Sequence, residues 1–183
     1  MEITTDRLVL REFHEDDWHP VLAYQSHPEY LRYYAWSDRA EQGAKEFVRT
    51  LIGWQHEQPR TRFQLVLELR DGGEVIGNCG IRRRASGLHE AELGYELAPW
   101  HWRRGYATEA ARAMLRFGFR DLKLHRVFSQ CIADNTASAR VLERIGMQPE
   151  GRLRENEWFK GRYWDTLLYA ILDREWEAQA GGR

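Results

Sequence analysis

Cysteine is nearly absent from this chain: Cys79 and Cys131 are the two among 183 residues. Each sits in a strand-like segment, and isolated thiols suit a reducing compartment better than a disulfide framework. Metal-ligand spacing is missing too. The seven histidines form no H-E-x-x-H and the cysteines no C-x-x-C, which argues against a metal site. Neither sign of charge dominates, and the formal net charge is −1. No overall positive field therefore draws the chain to nucleic acid or to an anionic membrane. No apolar run approaches the ~20 residues that span a bilayer. The opening MEITTDRLVLREF carries acids and alternating polarity where a signal peptide has an apolar stretch. Composition breaks and Gly/Ser linkers are lacking as well, so residues 1–183 read as a single domain with a cytoplasmic location as the default.

What is present is ordinary globular composition, 43% hydrophobic and 30% charged, with enough chain for a sizeable core. The eight tryptophans are scattered, which suggests core and pocket lining and not a repeat. Leu8-Val9-Leu10-Arg11 begins as a strand, and Glu15-Asp16-Asp17 suits a helix start. Ser37 is placed to cap a second helix whose apolar residues Ala40, Ala44, Phe47, Val48 and Leu51 keep helical spacing. The aromatic connection HPEYLRYYAW between them has the character of a pocket-lining loop. Phe63, Leu65, Leu67 and Leu69 alternate up to a turn at Asp71-Gly72-Gly73, and Val75 to Ile81 return. A second turn signal at Ser86-Gly87 precedes another strand, in which Ala91, Leu93, Tyr95 and Leu97 alternate with Glu92, Gly94 and Glu96, and Pro99 ends it. Arg126 to Ile132 read as a strand, Asn135 to Ile145 as a helix closed by Gly146. Gly151-Arg152-Leu153, a turn at Lys160-Gly161-Arg162 and the strand-like 166–172 complete a mixed, mostly antiparallel α/β pattern.

The stretch WRRGYATEA carries the first chemical signal. A strand, a short Gly-containing turn and a helix present free backbone N–H groups to an anion. Gly105 permits close approach, Ala107 keeps the next side chain small, and Arg103 and Arg104 add cationic charge. From Ala107 the helix places Ala110, Ala111, Met114 and Gly118 on one face, with Glu109, Arg112, Arg116 and Arg120 on the other. The same stretch also describes an ordinary helix start with solvated arginines.

Taken with CIADNTASARVLERIGM, the stretch resembles the GNAT acyltransferase superfamily, in the branch of the ribosomal-protein N-terminal alanine and serine acetyltransferases. The resemblance extends nearly end to end. ITTDRLVLREF resembles the opening strand, AELGYELAP the central strand, DNTASARVLERIGM the Asn-x-x-Ser helix, and YWDTLLYAILDREW the closing strand and tail. It implies a GNAT fold: a mixed, mostly antiparallel central sheet flanked by helices. It also implies acetyl-CoA or coenzyme A as co-substrate, with no metal. In that family the turn matching Arg103, Arg104, Gly105, Tyr106, Ala107 and Thr108 wraps the pyrophosphate. The strand matching Glu92 to Ala98 pairs with the pantetheine arm, and the positions matching Asn135 and Ser138 contact the cofactor. Asn135 is also chemically good as a helix N-cap. Two departures stand out: Trp102 occupies the place where the family loop has Gln or Arg, and Leu142 the place where many members have a proton-donating tyrosine.

Amine acylation needs a neutral amine, a polarised thioester and a proton route. Glu92 and Glu96 share one strand face; Glu92, which begins the strand, is the better base candidate, and Glu96 and Ser138 complete the catalytic set. Backbone N–H near Leu97 would steady an oxyanion if a bulge freed it. Tyr33, Tyr34 and Trp36 are candidates for the acceptor pocket, closed by Trp158, Phe159 and Tyr163, with Glu155, Glu157 and Asp165 to attract a cationic amine. Arg82-Arg83-Arg84 reads as a solvated hairpin end before it reads as a nucleic-acid patch. The partner expected is an amine acceptor, either a protein or peptide N-terminus or a small molecule such as an antibiotic or polyamine. A non-catalytic CoA-binding module is the competing reading. Nothing in the sequence bears on oligomeric state, and a homodimer stays open.

Overall fold

The computed structural model describes residues 1–83 and 89–181. The turn expected at Ser86-Gly87, and Arg84 of the arginine triplet, lie outside the described residues. Two short strands, β1 (Glu2–Thr4) and β2 (Leu8–Arg11), lead into helices α1 (Trp18–Gln25), α2 (Pro28–Leu31) and α3 (Glu41–Gln55). Strands β3 (Arg62–Leu69), β4 (Val75–Arg83) and β5 (Glu90–Leu97) follow as antiparallel neighbours. Helix α4 (Tyr106–Arg120), strand β6 (Arg126–Ile132), helix α5 (Thr136–Arg144), the hairpin β7 (Gln148–Phe159) and β8 (Arg162–Leu172), and helix α6 (Asp173–Gly181) complete the chain. All strands join one eight-stranded sheet in the order β1-β2-β3-β4-β5-β6-β8-β7. No helix among the described residues is long and apolar enough to cross a membrane.

Period-two alternation puts a core on each face of this sheet. Leu65 and Leu67 pack with Ile81, Leu93 and the alanine face of α4, including Ala110, Ala111 and Met114. Val66, pointing the other way, packs with Val21, Tyr24, Ala44, Val48 and Leu51 of α1 and α3. Four local expectations change. Glu15–Asp17 forms a single 3-10 turn ahead of α1, and α2 interrupts the aromatic connection. Ser37 does not cap α3: the N-cap is Ala40, which offers no side-chain acceptor. Strand β7 is far longer than Gly151-Arg152-Leu153 suggested, because residues 148–158 are exposed along a sheet edge. Such a strand carries no apolar alternation to read.

The sheet opens at one place. Strands β5 and β6 pair in parallel only from Glu90–Arg126 to Glu92–Phe128. Beyond Glu92, β5 stays with β4 as far as Leu97, while β6 stays with β8 as far as Ile132. Each follows its antiparallel neighbour, so the two separate into a fork. At its apex Ser129 Oγ donates to the Leu93 carbonyl at 2.9 Å.

Candidate active site

The loop ahead of α4 is folded for open donors. Gly105, its N-cap, has φ +82° and no side chain to accept from the first N–H groups. Arg103 is also left-handed, at φ +62°. Helix geometry leaves the first N–H groups of α4 without intrahelical partners, so residues 105–108 present uncapped donors at the positive end of the helix dipole. The loop is held from behind. Arg7 donates to the Arg104 carbonyl at 2.9 Å, lies over the Tyr106 ring at 4.5 Å, and bonds Glu109 at 2.7 Å. Burial would raise the Glu109 carboxyl, but donors from Thr5 and Arg7 hold it below its ordinary value. Glu109 is therefore a brace and not part of a solvated face.

Fork and loop meet along β5. Ala98 N donates to Ile76 O on the β4 side, so alternation turns the Tyr95 and Leu97 N–H groups toward the fork. The pairing of β4 with β5 is unbroken from Gly77–Leu97 to Arg83–Ala91. No bulge frees the Leu97 N–H, as had been expected; the departure of β6 does so. Trp102 Nε1 donates to the Leu97 carbonyl at 2.7 Å, tying the loop to the strand end. These features fit a cofactor with an anionic diphosphate and an amide-bearing arm.

A cavity of about 330 Å³ spans the fork. Leu93, Tyr95, Ser129, Gln130 and Ser138 line it on the fork side; Tyr34, Phe47, Leu51, Trp54, Gln64, Asn78, Arg82, Glu92 and Glu96 line the rest. Three neutral donors converge on Oε2 of Glu96: Asn78 Nδ2 at 2.9 Å, Gln25 Nε2 at 2.9 Å and Tyr24 Oη at 3.3 Å. Oε1 has no partner among the described residues. Burial, reinforced by the Glu96 charge, raises the phenols of Tyr24, Tyr30 and Tyr34, so they stay neutral. Glu92 differs, because Arg82 lies 3.6 Å from it as an ion pair. Arg82 also donates to Gln64 at 3.1 Å, and Gln64 to Asn78 at 2.7 Å. A chain of hydrogen bonds from Glu96 through Asn78 and Gln64 to Arg82, closed by the ion pair to Glu92, thus links both glutamates, and Arg82 is not a solvated hairpin end.

On the fork side, Asn135 caps α5 by accepting from Ser138 N at 3.2 Å. Tyr95 Oη lies 2.8 Å from Ser138 Oγ and 3.1 Å from its carbonyl. Burial raises the Tyr95 phenol, which keeps it a neutral donor. Leu142 is fully buried in the core. Both cysteines are free, and burial pushes the Cys79 thiol up to about 12 and the Cys131 thiol up to about 11.

The structure brings Glu92, Glu96, Leu97, Ser138 and Tyr34 to the fork or its cavity, and Arg103 to Thr108 to the helix start. Tyr33 instead donates to the Asp134 carbonyl at 3.0 Å and meets Trp164 edge-on. Trp36 is partly exposed and packs on Tyr34 at 4.4 Å. Trp158 and Tyr163 pair with each other, 62% and 58% exposed. Neither they nor Glu155, Glu157 and Asp165 line the cavity. Asp165 accepts from Glu155 N at 2.7 Å and Arg152 at 2.6 Å beside the kink in β7. Among the described residues no group of three His, Cys, Asp or Glu side chains is placed to hold a metal ion. Asn78, Gln64 and Trp54 escaped the sequence reading, which placed Arg82 at a solvated hairpin end. Their signal was available: Asn78 and Gln64 are polar residues inside otherwise apolar strands, and a buried polar residue is the informative exception.

Comparison with known proteins agrees with this geometry. Residues 7–148 match the family model described as acetyltransferase (GNAT) domain. The chain is 37% identical over 181 residues to the uncharacterized N-acetyltransferase YnaD of Bacillus subtilis, covering 96% of this chain and 99% of that protein. It is 27% identical over 187 residues to the ribosomal protein uS5-alanine N-acetyltransferase of Escherichia coli, covering 96% and 93%. A GNAT-family acetyltransferase structure from Bacillus anthracis superposes with a TM-score of 0.83 at 31% identity, covering 95% of this chain and 99% of that one. Fork, loop and comparisons agree: the chain belongs to the GNAT acetyltransferase family.

Proposed function

We propose that this protein, acting as one catalytic unit over residues 1–183, transfers the acetyl group of acetyl-CoA to a primary amine. The amine attacks directly within a ternary complex, and the acceptor class is a protein or peptide N-terminal α-amine. The observation that carries this is Glu96. Three neutral groups pin one carboxylate oxygen, and the other is unpartnered in a residue lining a cavity that opens onto the fork. No cation among the described residues neutralises it, so it attracts an ammonium group, removes its proton and leaves a nucleophilic amine. Glu92, already paired with Arg82, is less free to do so. The order of the two candidates is thus reversed from the sequence reading.

The residues at the other end fit coenzyme A. Uncapped N–H groups of residues 105–108, with Arg103 and Arg104, would hold the diphosphate. The free edge of β5 at Tyr95 and Leu97, with Asn135, would hold the pantetheine amides. Bound there, acetyl-CoA supplies an activated thioester. Ser138 Oγ, hydrogen-bonded to Tyr95, is the hydroxyl placed to donate a proton toward the departing thiolate.

Thiol release from acetyl-CoA, measured over a panel of amines and N-terminal peptides, tests the proposal. Turnover with at least one primary amine is expected. Tight CoA binding without thiol release on any acceptor would show a binding module instead. A covalent acetyl-cysteine route is disfavoured, because both thiols are held protonated by burial and no histidine adjoins them in sequence. Cys131→Ala is expected to keep kcat within about threefold of the parent. Complete loss of turnover with cofactor affinity intact would defeat direct attack.

A further inference from the structure

Arg82 is seated where a side chain would ordinarily be. Gly80 and Gly94 face each other across β4 and β5, and neither carries a Cβ, which leaves a slot on the cavity face of the sheet. A Cβ on Gly94 would fall 2.6 Å from one terminal nitrogen of Arg82, and one on Gly80 would fall 2.4 Å from Gln64 Oε1. The guanidinium therefore lies over Gly94, midway in sequence between Glu92 and Glu96. Its hydrogen bond to Gln64 engages one of its five donors, Glu92 stands beside it as an ion pair at 3.6 Å, and the residue lines the cavity.

Charge accounting within the cavity is simple. Its lining holds two carboxylates and one guanidinium: Glu92 is matched by Arg82, and Glu96 is not matched. A second guanidinium, Arg39, stands just behind, bonded to Gln25 at 2.7 Å and over the Phe47 ring at 5.5 Å. The cavity thus has room for one ammonium group, at Glu96, with a fixed cation two residues along the strand. At 3.2–3.4 Å per residue the step from Glu96 to Gly94 is roughly 6.5 Å. An extended peptide sets its N-terminal nitrogen and the carbonyl of its second residue about as far apart.

We propose that Arg82 is a specificity-determining residue that hydrogen-bonds a backbone carbonyl of a peptide acceptor whose α-amine sits at Glu96. It also repels the second ammonium group of a polyamine. This deepens the reading of the protein as an N-acetyltransferase and rests on it. A carbonyl acceptor complements the guanidinium donors, whereas a diamine of similar length brings like charges together without a carboxylate to compensate.

The test compares kcat/KM by thiol release for three acceptors, an uncharged tripeptide amide with a free α-amine, a straight-chain alkylamine and spermidine. The enzymes are the parent, Arg82→Gln and Gly94→Ala. The second variant keeps the charge but evicts the guanidinium, since the new methyl group meets the flexible end of Arg82, and so it guards against misfolding of the first. The parent is expected to favour the peptide over spermidine at least about tenfold. In both variants that preference and the peptide-to-alkylamine preference are expected to fall about tenfold, mainly through KM for the peptide. Unchanged preferences in either variant that melts cooperatively, or a parent that uses spermidine as well as the peptide, would overturn the assignment. Failure of the parent to release thiol with all three acceptors, while calorimetry shows CoA bound, would overturn the acetyl-transfer reading itself.

Discussion

Replacing Glu96 by glutamine is expected to lower kcat by roughly 10²–10⁴-fold at neutral pH, the span in which loss of a general base falls. The substitution keeps the shape and leaves an amide oxygen to accept from Asn78, Gln25 and Tyr24. The fold and the cofactor loop are untouched. What is lost is the ability to take a proton from the bound ammonium and from the nitrogen as it attacks. α-Amines titrate near pH 8, so most are neutral by pH 10 and no longer need the first of these. The deficit is therefore expected to narrow at alkaline pH, and KM for acetyl-CoA to stay put. The same change at Glu92 is expected to cost less than about tenfold, because that carboxylate is paired with Arg82. Equal losses at the two positions, or a deficit that ignores pH, would remove Glu96 as the base.

The second large effect concerns Gly105. Gly105→Val is expected to raise the KM for acetyl-CoA at least tenfold while saturating acetyl-CoA recovers most of kcat. Space does not cause this: the nearest atom to an added Cβ is an Arg7 nitrogen at 3.4 Å. The backbone causes it. At φ +82° a β-branched residue is strained by about 1–3 kcal/mol, and each 1.4 kcal/mol is a factor of ten in an equilibrium. Relief of that strain rotates the first N–H groups of α4 away from a common focus, and the anion site weakens with them. Because Arg7, between β1 and β2, braces the loop through the Arg104 carbonyl and Glu109 of α4, the helix survives, so the thermal midpoint is expected to move little compared with KM. Cofactor affinity equal to that of the parent would place the diphosphate elsewhere.

Sequence alone determined the parts whose physics is local. Alternation in 63–69, 75–81 and 91–97 specifies paired strands, and RRGYATEA specifies a glycine-led helix start with open N–H groups. Asn135 and Ser138, three apart, specify a cap on one helical face, and the order of these motifs carries the family. Tertiary structure decided what depends on residues distant in sequence. Whether Glu92 or Glu96 is free of a cation rests on Arg82, ten residues back in sequence from Glu92, and on Asn78 and Gln25 from another strand and a helix. Leu97 N–H is released by the divergence of β6 and not by a bulge, and divergence is a property of the sheet that no single strand encodes. Trp158 and Tyr163 look like pocket residues as a composition, yet they sit exposed at the β7–β8 hairpin, while Trp54 and Phe47, ordinary members of an amphipathic helix, line the cavity. Local propensity fixes which way a side chain points within its own element. Which charge it meets there is fixed only when the elements pack.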